Sequence, residues 1–129
     1  MKKEMLDALR AGLPALGLEL PVEAEETLCD FGCAVVEQNK GMNLTAITEP
    51  GAVARLHLLD SLTVLTAADL SGKKLIDVGC GAGFPGVPLK IACPGVELTL
   101  LDSLGKRMTW LETILPTLSV RAETITARA

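Results

Sequence analysis

Apolar side chains recur at Met5, Leu6, Leu9 and Leu13, the spacing of an amphipathic helix over residues 4–12 that ends near Gly12 and Pro14. A second helix is predicted to open at Pro21, with Glu23, Glu25 and Glu26 near its positive end. Its buried face is Leu28, Phe31, Gly32, Val35 and Val36, and Gly41 is its stop. Gly41 to Thr45 reads as a turn. Thr48 can cap a third helix that tolerates Pro50 in its first turn and buries Val53, Leu56, Leu59 and Thr63. Together these elements make a helical region running to about Leu65.

At Gly72 the period changes. Lys73 to Val78 is a short apolar run bounded by glycines, the pattern of a buried parallel strand. Residues 86–93 read as helix, and Val96 to Leu101 as a second strand ending in Asp102. Ser103 can cap a helix carrying Leu104, Met108, Leu111 and Leu115, which Pro116 stops; Glu123 to Ala127 is a third strand. The order βαβαβ implies a parallel sheet with right-handed crossovers. The expected class is α/β, a Rossmann-like sheet preceded by a helical segment, divided as residues 1–69 and 70–129. Three strands are few for such a sheet, so the chain is expected to be part of a longer protein.

Between the first strand and the following helix lies Asp77-Val78-Gly79-Cys80-Gly81-Ala82-Gly83-Phe84-Pro85-Gly86. Glycines there let the backbone turn tightly and approach a ligand where a Cβ would collide. A bare GxGxG is weak by itself. It gains from the strand before it, the helix after it, and an acid at the end of the next strand, Asp102, 25 residues on from Asp77. A carboxylate in that place can accept hydrogen bonds from the ribose hydroxyls of an adenosine group; the plain alternative is that Asp102 accepts helix N–H groups. Asp77 discriminates between ligands. It would repel a dinucleotide's pyrophosphate, which wants a helix N-terminus free of carboxylates, whereas the ammonium and sulfonium of S-adenosylmethionine tolerate or welcome it. The residues therefore favour a methyltransferase over an NAD-dependent oxidoreductase. Phe84 can cover one face of the cofactor or fill the core.

Composition narrows the field. Phe31, Phe84 and Trp110 are the only aromatic residues, so the core is built from aliphatic side chains and no aromatic platform for single-stranded nucleic acid is expected. A net charge of −4 speaks against this stretch binding nucleic acid by itself. No Walker-type lysine follows the glycines. With four cysteines, none in a CxxC pair, and His57 as the only histidine, neither a zinc site nor a Cys/His catalytic pair is expected, and Cys80 reads as a small side chain required by the loop. The cysteines suit a reducing compartment, which with the lack of a signal-like or membrane-length apolar run points to the cytoplasm.

Four segments resemble the bacterial 16S ribosomal RNA guanine-N7 methyltransferases, the family formerly called glucose-inhibited division protein B. They are Asn39-Lys40-Gly41-Met42-Asn43-Leu44-Thr45, His57-Leu58-Leu59-Asp60-Ser61, Ile76 through Leu89, and Leu100-Leu101-Asp102-Ser103-Leu104-Gly105-Lys106-Arg107. The resemblance implies a helical extension on a seven-stranded methyltransferase sheet, S-adenosyl-L-methionine as cofactor, and 16S rRNA or the small ribosomal subunit as partner. It matches Gly79, Phe84 and Ala129 to cofactor-contacting positions, beside Asp77, Gly81, Gly83 and Asp102. Arg55, His57, Lys106 and Arg107 are the candidates on the RNA side. Lys106 and Arg107 alternatively form a solvated helix face, and His57 alternatively sits in the seam between helical region and sheet. The remaining alternative for the whole is a non-catalytic nucleotide- or ribosome-interacting domain.

Overall fold

The computed structural model describes residues 1–128; Ala129, an expected cofactor position, lies outside the described residues. Helix α1 (Lys2–Gly12) leads through a short 3₁₀ turn, Pro14–Leu16, into α2 (Val22–Asn39). A run of short helical pieces follows: α3 (Pro50–Val53), a π-helical turn over Ala54–Leu59, α4 (Asp60–Leu62) and α5 (Val64–Ala67). The second region is β1 (Lys74–Val78), α6 (Gly86–Ala92), β2 (Glu97–Asp102), α7 (Gly105–Thr117) and β3 (Glu123–Thr126). The expected βαβαβ order is present, as a parallel sheet in the order β1-β2-β3.

Several local expectations fail for identifiable reasons. Glu49, not Thr48, caps the third helical stretch. Proline pushes the residue before it toward extended backbone, and Glu49 (ψ 131°) therefore occupies the cap, its carboxylate accepting from Gly51 N at 3.0 Å and Ala52 N at 2.7 Å. Leu56 and Thr63 are exposed, not buried. The π turn adds a residue per turn, so buried positions step by five, from Val53 to Leu58 and from Ala54 to Leu59, with Leu62 following. Pro21 is the cap of α2 and not its first residue. Ser103 makes no cap for α7; Leu104 occupies that place without a side-chain bond, and Pro116 lies inside the last turn.

Side chains alternate across the sheet. Leu75, Leu98 and Leu100 lie on one face, and Leu98 and Leu100 belong to the same buried cluster as Val87 and Ile91 of α6 and Met108, Leu111 and Leu115 of α7. That cluster continues through Phe31 of α2 to Met5 and Leu9 of α1, so one core joins the helical region and the sheet. On the opposite face Ile76 is 61% exposed, Val78 57% and Ile125 44%. Parallel sheets are ordinarily covered on both faces; among the described residues this one is covered on one. No helix of the described residues is long and apolar enough to cross a membrane.

The π turn makes a direct prediction. Leu58→Ala should cost about 2–5 kcal/mol, the range for emptying a buried leucine site, whereas Leu56→Ala should change stability by less than about 0.5 kcal/mol. Urea unfolding of the two variants checks the assignment, and equal losses would contradict it.

Candidate cofactor site

The site begins where β1 stops pairing as a regular strand. Gly79 turns to φ +71°, and both Gly79 N and Cys80 N donate to the carbonyl oxygen of Leu101 on β2, at 2.7 and 3.1 Å. A Cβ on Gly79 would have no atom within 4 Å, so the bend faces open space. Gly83 is the opposite case. At φ +110° a Cβ there would lie 3.0 Å from both Phe31 Cζ and Val87 Cγ2. One glycine leaves room for a ligand, and the other lets the loop press onto the core.

Asp77 and Asp102 fall on the same sheet face at the carboxyl ends of β1 and β2, where open α/β sheets hold their ligands. A cleft of about 260 Å³ lies at those strand ends, lined by Val78, Gly79, Leu101, Asp102 and Ser103 together with Ala127 and Arg128. Small-molecule sites span roughly 300–1,000 Å³, so this cleft is smaller than a typical whole-ligand site. Larger hollows of about 600, 530, 490 and 300 Å³ lie beside Pro116, Leu65, Lys74 and Leu13, but none contains a glycine bend or a buried acid.

Asp102 is only 6% exposed. Its Oδ2 accepts from Arg107 Nη1 at 3.3 Å and, at the long distance of 3.4 Å, from Leu104 N. Arg107, expected on the RNA side, is thus turned onto the site acid, with Nη1 also 3.8 Å from the Cβ position of Gly81. Asp77 is half-buried beside the bend, where its Oδ2 accepts from Gly86 N at 2.9 Å at the start of α6. Burial pushes the Asp77 carboxyl up from its ordinary pKa; the Gly86 bond opposes this and the nearby charge of Asp102 adds to it. The two acids therefore sense one another, and the place between them disfavours an anion.

Asp77, Gly81, Gly83 and Phe84 do not line the cleft itself. Arg55 and Lys106 are exposed, Arg55 with Glu49 at 4.0 Å. Cys80 is buried, and that burial pushes its thiol up to about 12, which keeps it protonated and unreactive. Among the described residues no three His, Cys, Asp or Glu side chains gather as metal ligands.

The sequence did not reveal a polar connection into the loop. Asn39 Oδ1 accepts the Leu44 and Thr45 N–H groups at 2.7 and 2.9 Å. Thr45 Oγ1 lies 2.8 Å from His57 Nε2, and the imidazole stacks on Phe84 with centroids 4.5 Å apart and planes within 8°. His57 therefore occupies the seam between the helical region and the sheet. Its only sequence signal was its position in one of the four segments; the i, i+12 relation to Thr45 has no helical or strand period.

Comparison with known proteins identifies the family. The family model described as rRNA small subunit methyltransferase G matches residues 24–129. The chain belongs to that family. A ribosomal RNA small subunit methyltransferase G of Alkaliphilus oremlandii is 48% identical over 112 residues, covering 86% of this chain and 47% of the relative. Those of Alkalilimnicola ehrlichii and Coxiella burnetii are 47% and 43% identical over 103 and 107 residues, covering 80% and 83% of this chain and 46% and 52% of the relatives. The chain thus spans about half the length of the curated relatives it matches, and its glycine bend and Asp102 both fall within the region matched to the family.

Two outcomes test the geometry. Gly79→Ala should cost about 1–2 kcal/mol, the left-handed backbone penalty alone, while Gly83→Ala, which adds overpacking, should cost about 3 kcal/mol or more by denaturant unfolding. Burial lowers the His57 pKa below its ordinary 6.5, opposed by Asp60. The unfolded chain then binds the proton more readily, so the stability contribution of His57 is complete above 6.5 and is lost as pH falls from there through the lower folded value. As the only histidine, its ring signals report this directly by NMR; titration at or above 6.5 would contradict it.

Proposed function

We propose that this protein binds S-adenosyl-L-methionine at the Gly79 bend and Asp102, and serves methyl transfer to guanine N7 of 16S ribosomal RNA. The observation carrying the reading is that Gly79 and Asp102 line one cleft at the carboxyl ends of two adjacent parallel strands. Membership of an rRNA methyltransferase family supports the reaction class.

The residues present fit that cofactor. The open space beside Gly79 admits a ligand against bare backbone, and the buried Asp102 carboxylate offers acceptors to ribose hydroxyls. Arg107 holds one oxygen of that carboxylate, leaving Oδ1 to orient a sugar. Asp77 and Asp102 together favour a ligand bearing positive charge over a pyrophosphate. When bound, the cofactor supplies a methyl group on a positively charged sulfur. Guanine N7 presents a lone pair and no proton, so these residues need to orient the reactants and need not supply a general base. Arg55 and Lys106, both exposed, are proposed phosphate contacts, and a ribosomal substrate implies work in the cytoplasm.

Calorimetry of this chain with S-adenosylhomocysteine and with NAD tests the first half. Binding of the former alone is expected, with Asp102→Asn weakening it roughly tenfold or more, the loss of charge-assisted hydrogen bonds. Binding of NAD alone would overturn the reading. For the second half, this chain can replace the matching half of the Alkaliphilus oremlandii relative. Incubation of the chimera with small ribosomal subunits and methyl-labelled cofactor should yield 7-methylguanosine; cofactor binding without transfer would favour a non-catalytic domain.

A further inference from the structure

The chain has three aromatic residues and one histidine, and all four form one connected cluster. His57 stacks on Phe84, Phe84 meets Phe31 edge-on at 5.4 Å, and Phe31 stacks on Trp110 at 6.3 Å. Phe84 belongs to the glycine loop, while His57 comes from the π turn and is keyed by the loop that follows α2.

The keying runs through three side chains. Asn39 at the end of α2 gathers the Leu44 and Thr45 amides, which sets the backbone at Thr45. Thr45 Oγ1 then accepts the Ile47 N–H at 3.0 Å and hydrogen-bonds His57 Nε2 at 2.8 Å, the donor in that bond being set by the imidazole tautomer. On the other side the Ser61 hydroxyl donates to the His57 carbonyl at 2.6 Å. An apolar pair of similar shape could fill the same half-buried volume at little or no loss of stability, because a hydrogen bond replaced by matched apolar groups is nearly neutral. What an apolar pair could not do is select one orientation of the imidazole. With its ring parallel to Phe84, that orientation sets the Phe84 plane.

We propose that Thr45 and His57 are positioning residues for the glycine loop: the Thr45 hydroxyl fixes the His57 ring, and the ring fixes Phe84 within the loop that begins at the bend. This assigns a role to the two sequence segments, 39–45 and 57–61, that contribute nothing to the cleft itself. It rests on the reading of the bend as the cofactor site, but its first test does not.

The test uses Thr45→Val, Thr45→Ser, His57→Phe and the Thr45→Val/His57→Phe double variant. In the free protein, Thr45→Val should shift the Phe84 ring protons and the Gly79, Gly81 and Gly83 amide signals, and Thr45→Ser, which keeps the hydroxyl, should restore them. Unmoved signals in a folded Thr45→Val protein would overturn the proposal whatever the chain binds. For S-adenosylhomocysteine, Thr45→Val and His57→Phe should each weaken binding by about tenfold, the scale of one lost hydrogen bond, and the double variant should be no worse than either. Additive losses would mean that the two residues act independently and would also overturn it. If the unaltered chain binds no S-adenosylhomocysteine, the proposed function fails while the ring and amide shifts still decide the positioning role.

Discussion

The carbonyl oxygen of Leu101 accepts two consecutive N–H groups, from Gly79 and Cys80, and the site depends on that clamp. A strand that simply ended at Val78 would leave its next amides to water and its loop free to wander. Here the bend is tied to the neighbouring strand one residue before Asp102. Turn and acid consequently stand on opposite sides of a single strand-to-strand hydrogen-bond step. Only a residue without Cβ takes the φ of Gly79 without strain, so clamp and open space follow from one choice of side chain.

Electrostatics then decide what the place can accept. Two carboxylates on one sheet face, one of them buried, would make a poor anion cradle even with a helix beginning nearby. The first N–H groups of α6 are already engaged: Gly86 N donates to Asp77, and Val87 N to the Gly83 carbonyl. The positive end of the helix is thereby satisfied within the protein. Arg107 is the cation that approaches Asp102, and it closes on that acid from the side of α7.

The scarcity of aromatic residues has a structural counterpart. With the core otherwise aliphatic, Phe31 is the one large flat side chain at its centre, and it is fully buried against both the loop and α7. Gly83 allows that contact by presenting no Cβ to Phe31. The helical region is therefore no loose appendage. It supports the loop from beneath through Phe31 and from the side through His57, while the far face of the sheet stays bare at Ile76, Val78 and Ile125.

The sequence by itself determined the alternation of strands and helices from Lys74 onward, the glycine bend and the acid at the end of the second strand. Each is a local matter of side-chain period, backbone freedom or position, readable without knowing what lies across the fold. It also carried the family likeness. Tertiary structure decided the rest. Leu56 left the core because a π turn shifted the register by a residue, and no propensity announces that turn. Glu49 displaced Thr48 because Pro50 governs the backbone before it, a local rule that outweighs threonine's own preference for caps. Arg107 reached back five residues to Asp102, and His57 found Thr45 and Phe84 through space rather than along the chain. Contacts between distant segments depend on how helices pack, and packing leaves no period in the sequence to read.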